Sequence, residues 1–280
     1  MASSLAPDPA HIQKAYDDQA TEYNALLGMP FGVMEAQLVS NALRENGLCE
    51  EAKLLDLGGG TGMRAAQAIQ LGAAKVDIVD ISSEMMAEGK RYVKRELAPD
   101  QTANIQWLLG DASKSLFDQT DGVTRLGKQG TYDIVMGNWI FDHVSDITVL
   151  EAMWHNISRA LRPGGRFIGV RACDPRTPAM TTGKYGPTCQ DFKEFPGGLF
   201  YSSTIPANPD VHLDNASLWV SYSGSTEMHE KYGLGEVSVE PPEETEVAKS
   251  DPDFWRLWIE QPGFAVVKAT KLVTLNADGA

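Results

Sequence analysis

The sequence predicts an α/β fold in which a doubly wound, mostly parallel sheet carries helices on both faces. Three observations predict it. Strand-like apolar stretches alternate with helical stretches from residue 53 to residue 171. One of them, Leu54-Leu55-Asp56-Leu57, runs into Gly58-Gly59-Gly60-Thr61-Gly62 and then into the helix-forming stretch Met63 to Leu71. Such a strand–glycine turn–helix unit presents backbone N–H groups and a helix N-terminus to a nucleotide-like ligand. Finally, the next two strand-like stretches end in carboxylates, at Asp80 and at Gly110-Asp111.

The elements follow in order. Residues 8–27 read as a helix, with Asp8 as cap, Pro9 in the first turn, and Ile12, Tyr16, Tyr23 and Leu26 near one stripe. A second helix is expected over Met34 to Glu45, closing at Gly47. Then come strand 53–57, helix 62–71, strand 75–80, helix 83–97, strand 104–109 and a short helical piece at 112–118. A glycine-rich loop at 119–131 leads to strand 132–136, helix 146–161 and strand 166–171. Residues 172–210 carry six prolines among scattered aromatics and read as a long irregular segment, a kind of segment more often functional than not. Ser217 to Ser223 reads as a strand, Glu236 to Glu246 as an acidic loop, Asp251 to Gln261 as a capped helix and Phe264 to Leu275 as the last strand. The expected organisation is 1–50 as a helical N-terminal part, 51–171 as the ligand-binding core, 172–235 as an inserted cap, and 236–280 as a helix and strand that complete the sheet.

Composition bounds the function. With 42% apolar residues over 280, one α/β domain with an insertion has enough core. A net charge of −14 disfavours nucleic acid as a partner. The basic cluster Lys90, Arg91, Lys94, Arg95 alternates with Glu84, Glu88 and Glu96 as a solvated helix face would. No apolar run reaches the length of a membrane helix, and Met1 to Pro9 lacks the pattern of a secretory or transit peptide, so a cytoplasmic protein is expected. Cys49, Cys173 and Cys189 have no metal or redox spacing and read as free thiols; no metal is expected.

Gly60-x-Gly62-x-x-Ala65 with Asp80 twenty residues on also fits a relaxed dinucleotide fingerprint. Asp56 before the first glycine, Gly110-Asp111-Ala112 after the third strand, and Gly137-Asn138-Trp139 after the fourth point elsewhere. Together with Leu161-Arg162-Pro163-Gly164-Gly165-Arg166-Phe167 they resemble the class I S-adenosylmethionine-dependent methyltransferases, over roughly residues 12–171. The resemblance implies a Rossmann-like methyltransferase sheet with an N-terminal helical lid and a cap inserted after strand five. It implies S-adenosyl-L-methionine as cofactor. Asp56, Gly58 and Gly60 would hold the amino-acid end of the cofactor, and Asp80 the ribose hydroxyls. Ile81 and Met85 would pack on adenine, Asp111 and Ala112 would meet its edge, and Asn138 and Trp139 would line the site near the methyl group. Tyr16 and Tyr23, seven residues apart on one helix face, would close over the cofactor as the lid.

The resemblance implies a methyltransferase acting on a small organic acceptor, with O-methylation favoured over N- or C-methylation, and with neither nucleic acid nor membrane as partner. Over its whole length the chain also looks similar to fungal secondary-metabolism O-methyltransferases of the pseurotin-pathway type. His143, five residues past Asn138, is the expected catalytic residue, as general base or as orienting partner; His212, His229 and Tyr185 are the other candidates, and His155 reads as a surface residue. Two other readings use the same residues: a methyltransferase-fold protein that binds the cofactor without transferring from it, pericyclase-like or purely binding, and, expected least, an NAD-dependent oxidoreductase.

Overall fold

The computed structural model describes residues 9–117 and 126–273. In chain order the N-terminal half contains α1 (Pro9–Tyr23), α2 (Pro30–Arg44), β1 (Lys53–Leu57), α3 (Met63–Gln70), β2 (Lys75–Asp80), α4 (Ser83–Glu96), α5 (Pro99–Thr102), β3 (Ile105–Leu109), β4 (Tyr132–Gly137), β5 (His143–Val144) and α6 (Ile147–Ala160). The remainder contains β6 (Leu161–Ala172), α7 (Pro178–Thr181), β7 (Thr188–Phe195), β8 (Gly198–Ile205), β9 (Val211–Leu218), α8 (Glu227–Lys231), β10 (Leu234–Val239), α9 (Glu246–Ser250), α10 (Pro252–Glu260) and β11 (Phe264–Lys271). No helix among the described residues is long and apolar enough to cross a membrane.

Seven strands form the central sheet in the order β10-β11-β6-β4-β1-β2-β3. The five from β6 to β3 are parallel, and β11 runs antiparallel to both β6 and β10. Side chains alternate between two cores, as the pleat requires. Leu54, Ile78, Ile134, Met136, Ile168 and Val170 face α2, α3, α4 and α10. Leu55, Leu57, Val79, Val135 and Phe167 face α6 and α8. Burial on both faces explains the nearly unbroken apolar strands of the sequence.

The cap is where the fold departs from expectation. Residues 172–210 are not irregular: β7, β8 and β9 form an antiparallel meander, and β5 adds to β9 in parallel to complete a second, four-stranded sheet. The prolines lie outside the strand interiors, so they never deny the ladder an N–H. The strand expected at Ser217 to Ser223 is displaced, because β9 ends at Leu218 and Trp219–Ser221 is a 3-10 turn. The stretch read as an acidic loop from Glu236 begins as the edge strand β10. Residues 112–114 turn rather than form a helix, held by Asp111 accepting from the backbone N–H and hydroxyl of Ser113. The predicted cap Asp8, the end of the 112–118 piece, most of the 119–131 loop and the tail of the last strand lie outside the described residues.

Behind β6, Trp154 of α6 is wholly buried, stacked 5.0 Å from Phe141 and packed against Phe167 and His229. Trp154→Ala should therefore cost about 3–5 kcal/mol of unfolding free energy, read as the shift in urea denaturation; a cost under about 1 kcal/mol would show that this core collapses onto the void.

Candidate active site

The parallel order places the carboxyl ends of β1, β2, β3 and β4 along one edge of the sheet. Chain order reverses between β1 and β4, with Asp56 beside Met136 and Leu57 beside Gly137. A crevice opens at such a reversal. Here it is a cavity of about 290 Å³. The expected cofactor residues and the expected catalytic residue line it: Tyr16, Tyr23, Asp56, Gly58, Gly60, Asp80, Ile81, Met85, Asp111, Ala112, Asn138, Trp139 and His143.

The glycine turn leaves β1 with Gly58 and Gly60 in the left-handed region, at φ +66° and +51°. A Cβ on Gly58 would sit 2.2 Å from the Ile140 Cγ2, so both conformation and space require glycine there. Gly60 donates its N–H to Asp80 Oδ2 at 2.7 Å, and Ser82 donates to Oδ1 at 2.8 Å. Each oxygen of Asp80 keeps a lone pair for a further donor. Burial pushes its carboxyl up to about 6 against the pull of these N–H groups. The N-cap of α4 is Ser82, which accepts from Met85 N–H, so Asp80 is not committed to that task.

Asp56 is the least satisfied group in the site. It is 1% exposed, and among the described residues neither carboxylate oxygen has a hydrogen-bond partner. Burial, with Asp80 adding repulsion, raises its carboxyl to about 7. Arg64 lies close enough to oppose that shift, but its guanidinium is bound to Glu35, at 2.6 Å from Nη2 and 3.0 Å from Nε. The other Glu35 oxygen accepts from Trp139 Nε1 at 2.8 Å. One buried ion pair thus ties together α2, α3 and Trp139, two residues past β4, beside the cavity. Sequence reasoning missed Glu35 and Arg64. The signal was present: each is a charge inside the apolar face of its helix, where an unpaired charge is not tolerated.

Asn138 and Trp139 continue the β4–β6 pairing past the end of the strand: Asn138 Oδ1 accepts from Val170 N–H, and Trp139 N–H donates to Val170 O. Trp139 takes φ +61° to do so, a conformation a bulky residue adopts only where its surroundings impose it. Asn138 Nδ2 is buried without a partner.

His143 reaches the cavity from β5, on the cap sheet. Its Nδ1 lies 3.3 Å from the carbonyl of Asp214, which can only accept, so Nδ1 carries the proton. Nε2 then accepts from the Tyr16 hydroxyl at 2.7 Å. Burial lowers the imidazole to about 4 and holds the ring neutral at pH 7. Helix α1 is clasped over this pair. Gln19 exchanges hydrogen bonds with both backbone groups of His212, at 2.9 and 2.5 Å, and Asp17 accepts from Ser82 Oγ at 2.5 Å. The other candidate bases are placed elsewhere. His229 is buried against Trp154 and Arg171 behind the sheet, and His212 lies under α1, bonded to Thr204. The Tyr185 hydroxyl is spent on Phe254 O and Trp258 N–H. His155 is exposed on α6.

Asp56 sets a pH dependence. In the unfolded chain such a carboxyl ionises near pH 4, and in the fold near 7. Ionising it therefore costs the ligand-free protein nothing below about pH 4, increasingly more as pH rises to 7, and the full amount above that. Asp56→Asn should raise stability at pH 8 by on the order of 2–4 kcal/mol and leave it unchanged near pH 4, measured by chemical denaturation at both values. An equal effect at the two would mean that the carboxyl is not ionised against its surroundings.

Residues 54–165 match a family profile described as a methyltransferase domain. The mitochondrial 2-methoxy-6-polyprenyl-1,4-benzoquinol methylase of Rattus norvegicus is 32% identical over 111 residues, and that of Homo sapiens 29%. These matches cover 40% of this chain and 29% of each relative's length. Among solved structures, DhpI in its complex with SAM and HEP aligns over 96% of this chain and 99% of its own, with TM-score 0.60 and 20% identity. The [4+2]-cyclase SpnF aligns over 96% and 98%, with TM-score 0.60 and 14% identity. At these identities the likeness is one of fold. The chain thus shares the Rossmann-like α/β fold of these solved structures, and its residues 54–165 are similar to methyltransferase domains.

Proposed function

We propose that this protein transfers a methyl group from S-adenosyl-L-methionine to a small organic acceptor, O-methylation being favoured. The observation that carries the proposal is Asp56. A buried carboxylate with two unpartnered oxygens, beside a turn of backbone N–H groups, needs a cation. The cofactor's amino-acid end supplies an ammonium for the carboxylate and a carboxylate for the turn. Asp80 suits the two ribose hydroxyls, Ile81 and Met85 the faces of adenine, and Asp111 with Ala112 its polar edge. Tyr16 and Tyr23 close the site from α1.

When bound, the cofactor would supply an electrophilic methyl on a sulfonium, with a neutral thioether as leaving group. The protein's part is to position the acceptor and exclude water. An acceptor hydroxyl that replaces the Tyr16 hydroxyl at His143 Nε2 meets an unprotonated lone pair. The proton moves to Nε2 as the acceptor oxygen attacks, and the Asp214 carbonyl holds the ring in the tautomer that permits it. The segment 172–215 and α1 cover the acceptor side. A role in secondary metabolism is the narrower form of the same proposal, and the acceptor's identity tests it.

SpnF, a cyclase of the same fold, keeps a second reading in view: cofactor binding without transfer. Product mass separates the two. Incubation with S-adenosylmethionine and candidate acceptors should give a product heavier by one methylene together with S-adenosylhomocysteine, whereas an isomeric product with the cofactor intact would establish the second reading.

Asp80→Ala should weaken S-adenosylhomocysteine binding by on the order of 2–4 kcal/mol in calorimetry while the fold survives; an unchanged dissociation constant would remove Asp80 from the site. His143→Ala should lower the turnover number roughly 10²–10⁴-fold with little change in cofactor affinity. A loss below about tenfold would leave the ring an orienting partner only.

A further inference from the structure

A second cavity, of about 70 Å³, adjoins the first and shares Tyr16, Tyr23, Leu26, Trp139 and His143 with it. Its far walls come from four elements: Phe31 of α2, Met180 of α7, Ile205 of β8 and Leu213 of β9. Pockets for drug-sized ligands run from about 300 Å³ upward, so a cofactor of that size fills the first cavity, and the second is what remains for an acceptor. An engineered cavity that takes up benzene measures about 150 Å³, so this one admits about three or four carbon atoms and no ring. The wall that α1 contributes is tied to the cap through Gln19 and His212 and to the cap of α4 through Asp17 and Ser82, which sets the size of the space.

The two cavities differ in polarity. Among the described residues the first is lined by unmet polar groups, both oxygens of Asp56 and Asn138 Nδ2, and neither residue lines the second. In the second, the polar side chains are used on one another. Asp142 accepts from Ser217 Oγ at 2.8 Å and is hydrogen-bonded by Tyr201. Asn215 donates to Ser203 Oγ at 3.0 Å and to Leu213 O at 3.2 Å. Among the described residues, none of Asp142, Tyr201, Ser203 and Asn215 keeps a buried side-chain polar atom without a partner. A hydroxyl or amine placed among them would lose water and find no free partner, a cost that an alkyl group does not carry. The polar group open to exchange is His143 Nε2, at the boundary of the two cavities, where the Tyr16 hydroxyl is its donor.

We infer that the second cavity is an apolar size filter for the acceptor: it takes an aliphatic chain of about three or four carbons, with the hydroxyl to be methylated at the boundary beside His143 and no polar group at the far end. This rests on the methyl-transfer reading above and narrows its acceptor to a short aliphatic alcohol.

n-Butanol and trimethylene glycol have equal heavy-atom counts and differ at the far end, methyl against hydroxyl; phenol carries its hydroxyl on a ring. With the protein saturated with S-adenosylhomocysteine, titration followed by ligand-observed NMR should find n-butanol at least roughly tenfold tighter than either of the others. Leu213→Phe fills the far wall. It should weaken n-butanol binding at least roughly tenfold and leave S-adenosylhomocysteine affinity unchanged, whereas an alcohol held elsewhere on the surface would not respond to it. Glycol or phenol binding as tightly as n-butanol, no detectable binding of n-butanol, or an unchanged n-butanol affinity in Leu213→Phe would each overturn the inference, and the wild-type ranking decides it even if the variant does not fold. Failure to bind S-adenosylhomocysteine at all would instead overturn the methyl-transfer reading, and this inference with it.

Discussion

The parallel pairing of β1 with β2 on one side and β4 on the other is the constraint on which the rest of the molecule depends. Parallel strands all present their carboxyl ends to one edge, so whatever follows each strand is delivered to the same place. The glycine turn, Asp80, Asp111 and Asn138 come from four separate stretches of chain and meet because of that geometry alone. The antiparallel β11 then fills the far side of β6, and α2 and α10 seal the sheet face that leads to the cavity.

Around that edge the charges are handled unequally. Glu35 is neutralised by Arg64 and fixed by Trp139, and it acts as a structural anchor between two helices and a loop. Asp56 and Asp80 are buried with no cation bound to them, and both carboxyls are raised by burial. Burying such groups costs stability.

The cap contributes differently. It is a sheet and not a flexible loop, and its register sets the position of His143, because β5 pairs with β9 at Ala216. The same sheet receives α1 through Gln19 and His212. With the Asp214 carbonyl at Nδ1 and the Tyr16 hydroxyl at Nε2, the His143 ring therefore joins three parts of the chain that have no sequence proximity.

Much of the fold was legible in the sequence because its determinants are local. Strand ends followed by glycine or a carboxylate, caps such as Ser82 and Asp251, and the alternation of strands and helices are all written within a few residues of each other. The residues around the cavity could be named from the same punctuation. The cap could not be read, because β7, β8 and β9 gain their order from pairing with one another and from burying one face against the core, and their composition alone favours no element. Nor could the sequence show that Tyr185 is spent on α10, that His229 lies behind the sheet, or that Arg64 belongs to Glu35 and leaves Asp56 unpaired. By itself the sequence determined the order of the five parallel strands along the chain and the residue types at their ends. Only the tertiary structure decided which carboxylate is satisfied and which is left without a partner among the described residues, because hydrogen bonding and desolvation act between residues that only folding brings together.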